Sequence, residues 1–228
     1  MLTLPAPLVK ELTFDNTATF HFIHGPCEAF PPEGFEEFFG GGPYYRFIEP
    51  DEKQTDEDDV LSRIRDFPEG ATPEDTMREL MKVGVASSRL STIRAIDYLY
   101  RIMEEEGPFD GIIGYSEGAT VASTLLLHEQ RRFEERGIPP MFKCAIFFAG
   151  WPPMDPNFHF MVLSDESDLR IEIATCHISK LMENCFVPFA LIPNNLLVGS
   201  LDPYLDGSMA LYNVCEPDCA YLFDHAKG

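Results

Sequence analysis

The feature that most constrains this chain is the Gly-x-Ser-x-Gly pentapeptide at residues 114–118. A short apolar run typical of a buried strand comes before it, and residues 119–130 follow with the spacing of a helix. The two glycines predict a close approach of strand and helix, because neither carries a Cβ atom. A strand, a strained turn and a helix in this order predict that the Ser116 hydroxyl is a nucleophile and that the N–H of Glu117 points at a developing oxyanion. The alternative is a glycine-rich turn with an incidental serine.

Length and composition favour one α/β domain that spans residues 1–228. The chain has 228 residues, of which 45% are hydrophobic, and this is enough to bury a sizeable core. The formal net charge is −21, which argues against nucleic acid and against an anionic membrane surface as partners. The acidic residues occur in solvent-type runs such as 51–59, for which solubility is a sufficient explanation.

The cysteines and the apolar runs bear on metal binding and on the compartment. Six cysteines are present without a Cys-x-x-Cys pair, and Cys215 and Cys219 lack a matching second pair, so we predict no metal site. The opening residues lack the basic and apolar regions of a secretory signal, and no apolar run reaches membrane-spanning length. We therefore expect a cytoplasmic protein with reduced thiols.

The remaining patterns predict alternating strands and helices, and hence a mostly parallel sheet flanked by helices. A long aromatic loop is predicted at 27–50. The expected strands are 17–23, 142–149, 172–178, 196–200 and 220–223, and the expected helices are 5–12, a stretch from residue 72, 88–106 and 207–214.

Three residues that follow predicted strands form a candidate catalytic triad: Ser116, Asp202 and His225. Parallel strands bring residues at their carboxyl ends to one edge of a sheet, and these three occur in the chain order Ser, Asp, His. A carboxylate would orient the imidazole, which would take the serine proton. Asp202 could instead be an ordinary turn or helix-cap aspartate. Its competitors, Asp165 and Asp168, lie in a polar loop without a strand before them.

The histidine is the least constrained member of this triad. His225 follows the last predicted strand, and the alternative is an exposed histidine near the chain end. We expect His128 to be solvated on the helix that follows the pentapeptide. The other histidines lie in predicted strands or in an aromatic loop: His21, His24, His159 and His177.

Several stretches together show a resemblance to a known family. They are residues 22–26, 39–45, 107–119, 148–153 and 198–203. The chain resembles the fungal serine hydrolases, a family of α/β-hydrolase fold. The resemblance implies that Ser116 is the nucleophile and Asp202 the acid of the triad. It also implies an esterase or thioesterase that needs no metal and no organic cofactor. Its expected partner is a small-molecule acyl ester or an acyl thioester held on a carrier protein.

The chain departs from this family in three places. The family opens with a strand and a His-Gly turn that supplies one oxyanion N–H, and this chain begins after them, so we expect its sheet to lack the first core strand. The family base comes just after a glycine, and residues 225–228 match the part before it, which would make His225 a neighbour of that base. Residues 179–197 interrupt a stretch that is continuous in the family, as a loop insertion or as an unremoved intron.

The sequence leaves two function classes open. The first is a hydrolase of acyl esters or thioesters acting through Ser116, for which the resemblance implies a role in fungal polyketide or other secondary-metabolite biosynthesis. The second is a truncated or non-catalytic protein with the hydrolase fold. A nucleotide-binding α/β protein is disfavoured, because the chain lacks a glycine-rich phosphate-binding loop.

Overall fold

The computed structural model describes residues 6–30, 40–49, 70–82, 89–179 and 205–224. Helices and strands alternate along much of this length, as the sequence predicted. In chain order the elements are α1 (Ala6–Phe14), β1 (Cys27–Ala29), β2 (Tyr44–Arg46), α2 (Pro73–Lys82), α3 (Arg89–Glu106), β3 (Gly111–Tyr115), α4 (Glu117–Arg136), β4 (Cys144–Phe148), β5 (Ala174–Ser179), α5 (Leu205–Val214) and β6 (Ala220–Asp224).

A four-stranded parallel sheet in the order β3-β4-β5-β6 carries the fold. Tyr115 pairs with Phe148, Phe148 with Ile178, and Ser179 with Asp224, so all four strands end at one edge. In parallel sheets this carboxyl edge is where ligands bind. The first turn of α4 begins at this edge, directly after β3. A separate two-stranded antiparallel ladder joins β1 to β2.

The helix boundaries follow local sequence signals. The N–H of Asp75 donates to Thr72 Oγ1 at 3.1 Å, and Pro73 takes the first helical position of α2, where a missing N–H costs nothing. Helix α4 ends at Gly137, whose φ of 66° places it in the left-handed region that closes many helices. Within the described ranges, no helix is long and apolar enough to cross a membrane.

The core lies between the helices and one face of the sheet. Ala145 and Phe147 of β4 are buried, as are Thr175 and His177 of β5, and each pair obeys the two-residue period of a strand. Helices α3 and α4 pack against this face through small and branched apolar side chains: Ala95, Ile96, Leu99, Val121, Ala122 and Leu125. This packing fixes α4, and therefore the residue before it, relative to the strand ends.

Two expectations from the sequence are wrong, and two lie outside the described residues. Residues 18–25 form no strand, because no strand in the described ranges pairs with them. The predicted loop 27–50 is not wholly irregular, since its two ends form the ladder of β1 and β2. The strand expected at 196–200 and the interruption at 179–197, apart from Ser179 at the end of β5, lie outside the described residues.

Candidate active site

Ser116 occupies a strained turn between β3 and α4. Its φ of 52° and ψ of −121° lie outside the helical and extended regions, and a serine held at positive φ costs about 1–3 kcal/mol. The Ser116 N–H donates to the carbonyl of Phe148 at 2.8 Å, and the Ser116 carbonyl accepts the N–H of Ala119 at 2.9 Å. Its hydroxyl makes no capping bond to α4. The backbone is thus held by both β4 and α4, while the hydroxyl is left for other chemistry.

The glycines of the pentapeptide have unequal roles. A Cβ on Gly114 would lie 2.4 Å from the Ala119 Cα atom, so only glycine allows β3 to cross α4 this closely. A Cβ on Gly118 would meet only the Phe47 ring, at 3.8 Å, which is an ordinary contact. Gly150 takes the second packing role instead, since its Cβ would lie 2.5 Å from that of Ala119. The prediction that both motif glycines serve the crossing is therefore confirmed for Gly114 alone.

The segment after β4 is attached to α4 by threonine hydroxyls. Thr120 Oγ1 accepts the N–H of Trp151 and donates to its carbonyl, each at 3.2 Å, and Thr124 Oγ1 accepts the N–H of Met154 at 3.0 Å. Trp151 also contacts α5, because a Cβ on Gly207 would lie 2.2 Å from its ring. Through these contacts, residues 148–153 fix the carboxyl end of β4 beside Ser116.

Glu117 follows the serine and opens α4. The first N–H groups of a helix have no acceptor within the helix, so the Glu117 N–H is placed where an anion can be bound. Its carboxylate accepts the N–H of Phe47 at 2.6 Å on Oε2 and the N–H of Ile48 at 3.3 Å on Oε1. Arg46 Nε lies 3.8 Å from Oε1. The sequence gives no signal for this contact, because its partners are about seventy residues apart.

Asp202 and His225 lie outside the described residues, so their roles stay predictions. The structure does describe their neighbours in the chain. Helix α5 begins at Leu205, and β6 ends at Asp224, on the edge of the sheet where Ser116 follows β3. Of the predicted site residues, the structure therefore describes Ser116 and Glu117, which are neighbours at the start of α4.

The five histidines in the described ranges make no hydrogen bond to Ser116. His177 is buried, with Nε2 3.2 Å from Thr175 Oγ1 and 3.4 Å from Cys215 Sγ, and burial lowers its pKa to about 4. It is therefore a neutral core residue. The expectation that His128 is solvated is wrong. It is half-buried against Tyr100 and Phe158, and burial lowers its pKa.

One cavity in the described part of the chain lies away from the turn at Ser116. It has a volume of about 370 Å³, and its walls include Tyr100, His128, Arg131 and Arg132. His128 is twelve residues beyond Ser116 along α4, which is roughly 18 Å at 1.5 Å per residue. This cavity is therefore no substrate pocket for Ser116. The described part of the chain contains no cluster of three or more His, Cys, Asp or Glu side chains arranged to hold a metal ion.

Comparison with known proteins agrees with this geometry. The chain is 31% identical to the esterase FPY3 of Fusarium mangiferae over 142 residues, which are 62% of this chain and 56% of that protein. It is 28% identical to the hydrolase phiM of Talaromyces stipitatus over 153 residues, 66% of this chain and 49% of the relative. It is 27% identical to the esterase FUS5 of Gibberella moniliformis over 179 residues, 72% and 63% of the two chains. No solved structure gives a significant match.

The matches to these relatives cover part of this chain, whereas the match to the family covers almost all of it. The chain spans about half to three-fifths of the length of the three relatives. Residues 8–228, by contrast, match the serine hydrolase (FSH1) family. A Gly-x-Ser-x-Gly turn at the carboxyl edge of a parallel sheet is the feature expected of such hydrolases. The chain therefore belongs to the FSH1 family of serine hydrolases.

Proposed function

We propose that this protein hydrolyses an acyl ester or thioester through an acyl-enzyme on Ser116. The observation that carries the proposal is the backbone of Ser116, which is held at positive φ between β3 and α4 while its hydroxyl caps no helix. Such a turn costs free energy, and strain of this kind is typical of residues with a functional role. A nucleophile exposed at a strand end is the geometry that acyl transfer needs.

In the proposed reaction the Ser116 oxygen attacks the acyl carbonyl while a base accepts the hydroxyl proton. The resulting oxyanion accepts a hydrogen bond from the N–H of Glu117, and the field of the α4 N-terminus favours the same charge. Collapse expels an alcohol or thiol, which takes the proton back from the base. Water then attacks the acyl-serine by the same route and releases a carboxylic acid and free Ser116.

The base and its orienting acid are proposed from sequence position. Asp202 is the proposed acid, and His225 is the proposed base. An imidazole near neutral pKa suits general base catalysis at pH 7. The end of β6 at Asp224, on the same edge as Ser116, supports a base from this part of the chain.

The substrate class is proposed more coarsely than the reaction. Aromatic side chains in the segment that Glu117 binds favour an apolar acyl group over a sugar or a phosphate: Tyr44, Tyr45 and Phe47. Relatives described as fungal esterases and hydrolases support an ester substrate. We propose an acyl ester or a carrier-protein-bound acyl thioester of fungal polyketide or other secondary metabolism, handled in the cytoplasm without a cofactor.

Substitution of Ser116 by alanine tests the proposal. Ser116→Ala should abolish labelling by a fluorophosphonate probe and reduce p-nitrophenyl ester hydrolysis by about 10³-fold or more, because the nucleophile is gone. Ser123→Ala is the matched control, since it removes a hydroxyl from the same helix. Both should melt within a few degrees of the wild type. Equal hydrolysis by Ser116→Ala would contradict the role of Ser116, whereas a wild type no faster than the uncatalysed reaction would favour a non-catalytic protein.

A further inference from the structure

The residue that follows the proposed nucleophile carries a carboxylate that binds a distant segment of the chain. Glu117 Oε2 accepts the Phe47 N–H at 2.6 Å, and Oε1 accepts the Ile48 N–H at 3.3 Å. The Glu117 side chain is 34% exposed, and Nε of the Arg46 guanidinium lies 3.8 Å from Oε1. Hydrogen bonds from N–H groups to a carboxylate are stronger than those between neutral groups. The contact joins residues about seventy positions apart in the chain.

The peptide groups that Glu117 receives come just after β2 has ended. Beyond Arg46 the chain leaves the ladder with β1, so Phe47 and Ile48 need acceptors from elsewhere. Ile48 is buried, and the N–H of Glu49 donates to Ser91 Oγ of α3 at 2.7 Å. The segment 46–49 is therefore held by α4 at one end and by α3 at the other.

The side chain of Phe47 meets the same turn of α4 as its N–H. Its ring lies 3.8 Å from the position that a Cβ on Gly118 would take. Gly25 packs against the other side of the segment, because a Cβ there would fall 2.1 Å from the carbonyl carbon of Arg46. The two residues that follow Ser116 thus contact the N–H and the ring of one aromatic residue.

We propose that Glu117 is a positioning residue for the hydrolysis. By binding the N–H groups of Phe47 and Ile48, its carboxylate fixes the first turn of α4 and the Phe47 ring relative to Ser116. This inference rests on the proposed function. The Glu117 backbone would donate to the oxyanion, and the side chain of the same residue would hold that donor in place. Small displacements of a reacting group can cost about a hundredfold in rate.

Positioning by the Glu117 carboxylate and repulsion of the oxyanion by its charge have opposite effects on the rate of hydrolysis. A negative charge beside a developing oxyanion disfavours the transition state by Coulomb repulsion. If repulsion were its main effect, removing the charge would speed hydrolysis. If the carboxylate positions the turn, removing it slows hydrolysis, because the two peptide groups lose their acceptor. The sign of the rate change therefore separates the two roles.

The experiment compares Glu117→Ala, Glu117→Gln and Glu134→Ala in the full chain with the wild type. Glu134 is an exposed acid on the same helix, so its removal matches the change in charge. Three readouts are used: kcat and KM for p-nitrophenyl butyrate, the rate of fluorophosphonate labelling, and hydrogen exchange of the amides at 44–49. Melting temperatures show whether each variant is folded.

We expect Glu117→Ala to lower kcat and the labelling rate by roughly 10- to 100-fold with a smaller rise in KM, because the loss of transition-state geometry outweighs the looser placement of Phe47. Exchange at Phe47 and Ile48 should accelerate. Glu117→Gln keeps one acceptor oxygen and should fall between alanine and the wild type. Glu134→Ala should match the wild type in all three measurements.

Three results would overturn the inference. We call the two hydrogen bonds from Phe47 and Ile48 to the Glu117 carboxylate the Glu117 clamp. Unchanged hydrogen exchange at Phe47 and Ile48 in both Glu117 variants would show that this clamp does not hold the segment. Faster exchange with undiminished kcat would show that the clamp does not serve catalysis. Faster hydrolysis would assign repulsion to the carboxylate. All three leave the proposed function intact, whereas a folded wild type that is neither labelled nor active would remove the function itself, and with it the positioning role.

Discussion

At the scale of single residues, Gly114 and Ser116 show how a turn can be fixed by what is absent as well as by what is present. Gly114 has no side chain because the backbone of Ala119 occupies that space. Ser116 keeps its side chain at a φ of 52°, a backbone conformation that glycine adopts at lower free energy. Retaining a serine there is costly unless the hydroxyl is used, which agrees with its proposed role as nucleophile.

Alanine at the two glycines of the pentapeptide should have opposite effects on stability. Gly114→Ala places a methyl group within 2.7 Å of three backbone atoms of residues 118 and 119, so we expect a loss of about 3 kcal/mol or more. Gly118→Ala meets only the Phe47 ring and lies inside α4, so we expect it to be neutral or stabilising by up to about 1 kcal/mol.

Urea denaturation of the two variants measures both changes. The pair is internally controlled, because each substitution adds one methyl group to the same turn. Equal losses from both variants would contradict the unequal packing described above, and would mean that α4 does not cross β3 at Gly114.

At the scale of secondary structure elements, the packing of α5 on β5 is organised around one buried histidine. His177 contacts the ring of Phe147 on β4 at 5.2 Å and the ring of Tyr212 on α5 at 5.3 Å. Cys215, just beyond α5, lies 3.4 Å from Nε2, and burial raises the pKa of its thiol to about 12. Both groups are neutral at pH 7, so this interface carries no buried charge.

This interface should weaken as the pH falls. In the unfolded chain the His177 imidazole binds a proton below about pH 6.5, whereas in the folded protein burial lowers its pKa to about 4. Between these two pKa values the unfolded state therefore binds more protons than the folded state. The free energy of unfolding consequently decreases as the pH is lowered through this window. Between pH 7 and pH 5 we expect a loss of about 2 kcal/mol from this residue.

The contribution of His177 can be isolated by comparison with His177→Gln, which cannot be protonated. Unfolding free energies of both proteins, measured by urea denaturation at pH 7, 6 and 5, should converge as the pH falls. A constant difference between the two proteins across this range would show that the imidazole is not buried and neutral in the folded state.

The sequence predicted the elements whose signals are local. Helices α3 and α4 and the strands of the sheet follow from apolar periodicity, and Gly137 marks a helix end by its own conformational freedom. The strand expected at 17–23 failed because a strand depends on a partner that its own pattern does not specify. The packing role of Gly150 and the Glu117 clamp were missed for the same reason, because each depends on contacts with distant parts of the chain.

At the scale of the whole molecule, the charge is strongly one-sided. Thirty-eight acidic residues face seventeen lysines and arginines, for a net charge of −21. The ion pairs in the described ranges are mostly exposed to solvent, which screens their attraction, so they contribute little to stability. Self-repulsion of the excess acid therefore opposes the compact state and is only partly offset.

Added salt should consequently stabilise the protein. Raising NaCl from 20 to 300 mM at pH 7.5 shortens the screening length from about 20 Å to below 10 Å, and we expect the melting temperature to rise by about 2–4 °C or more. At pH 5, closer to the isoelectric point of about 4.5, the same addition should have a much smaller effect. A melting temperature that ignores salt at pH 7.5 would mean that the acidic charges are neutralised locally.

The position of Glu117 also has a consequence for how such an enzyme can change over generations. Its backbone N–H survives every single substitution except one to proline, whereas its carboxylate is lost in nearly all of them. Selection can thus adjust how the segment 46–49 is held, by exchanging the side chain, without ever forfeiting the peptide donor beside the serine. The backbone N–H therefore persists through nearly all mutations of this codon, whereas the carboxylate that binds Phe47 and Ile48 is lost in most of them.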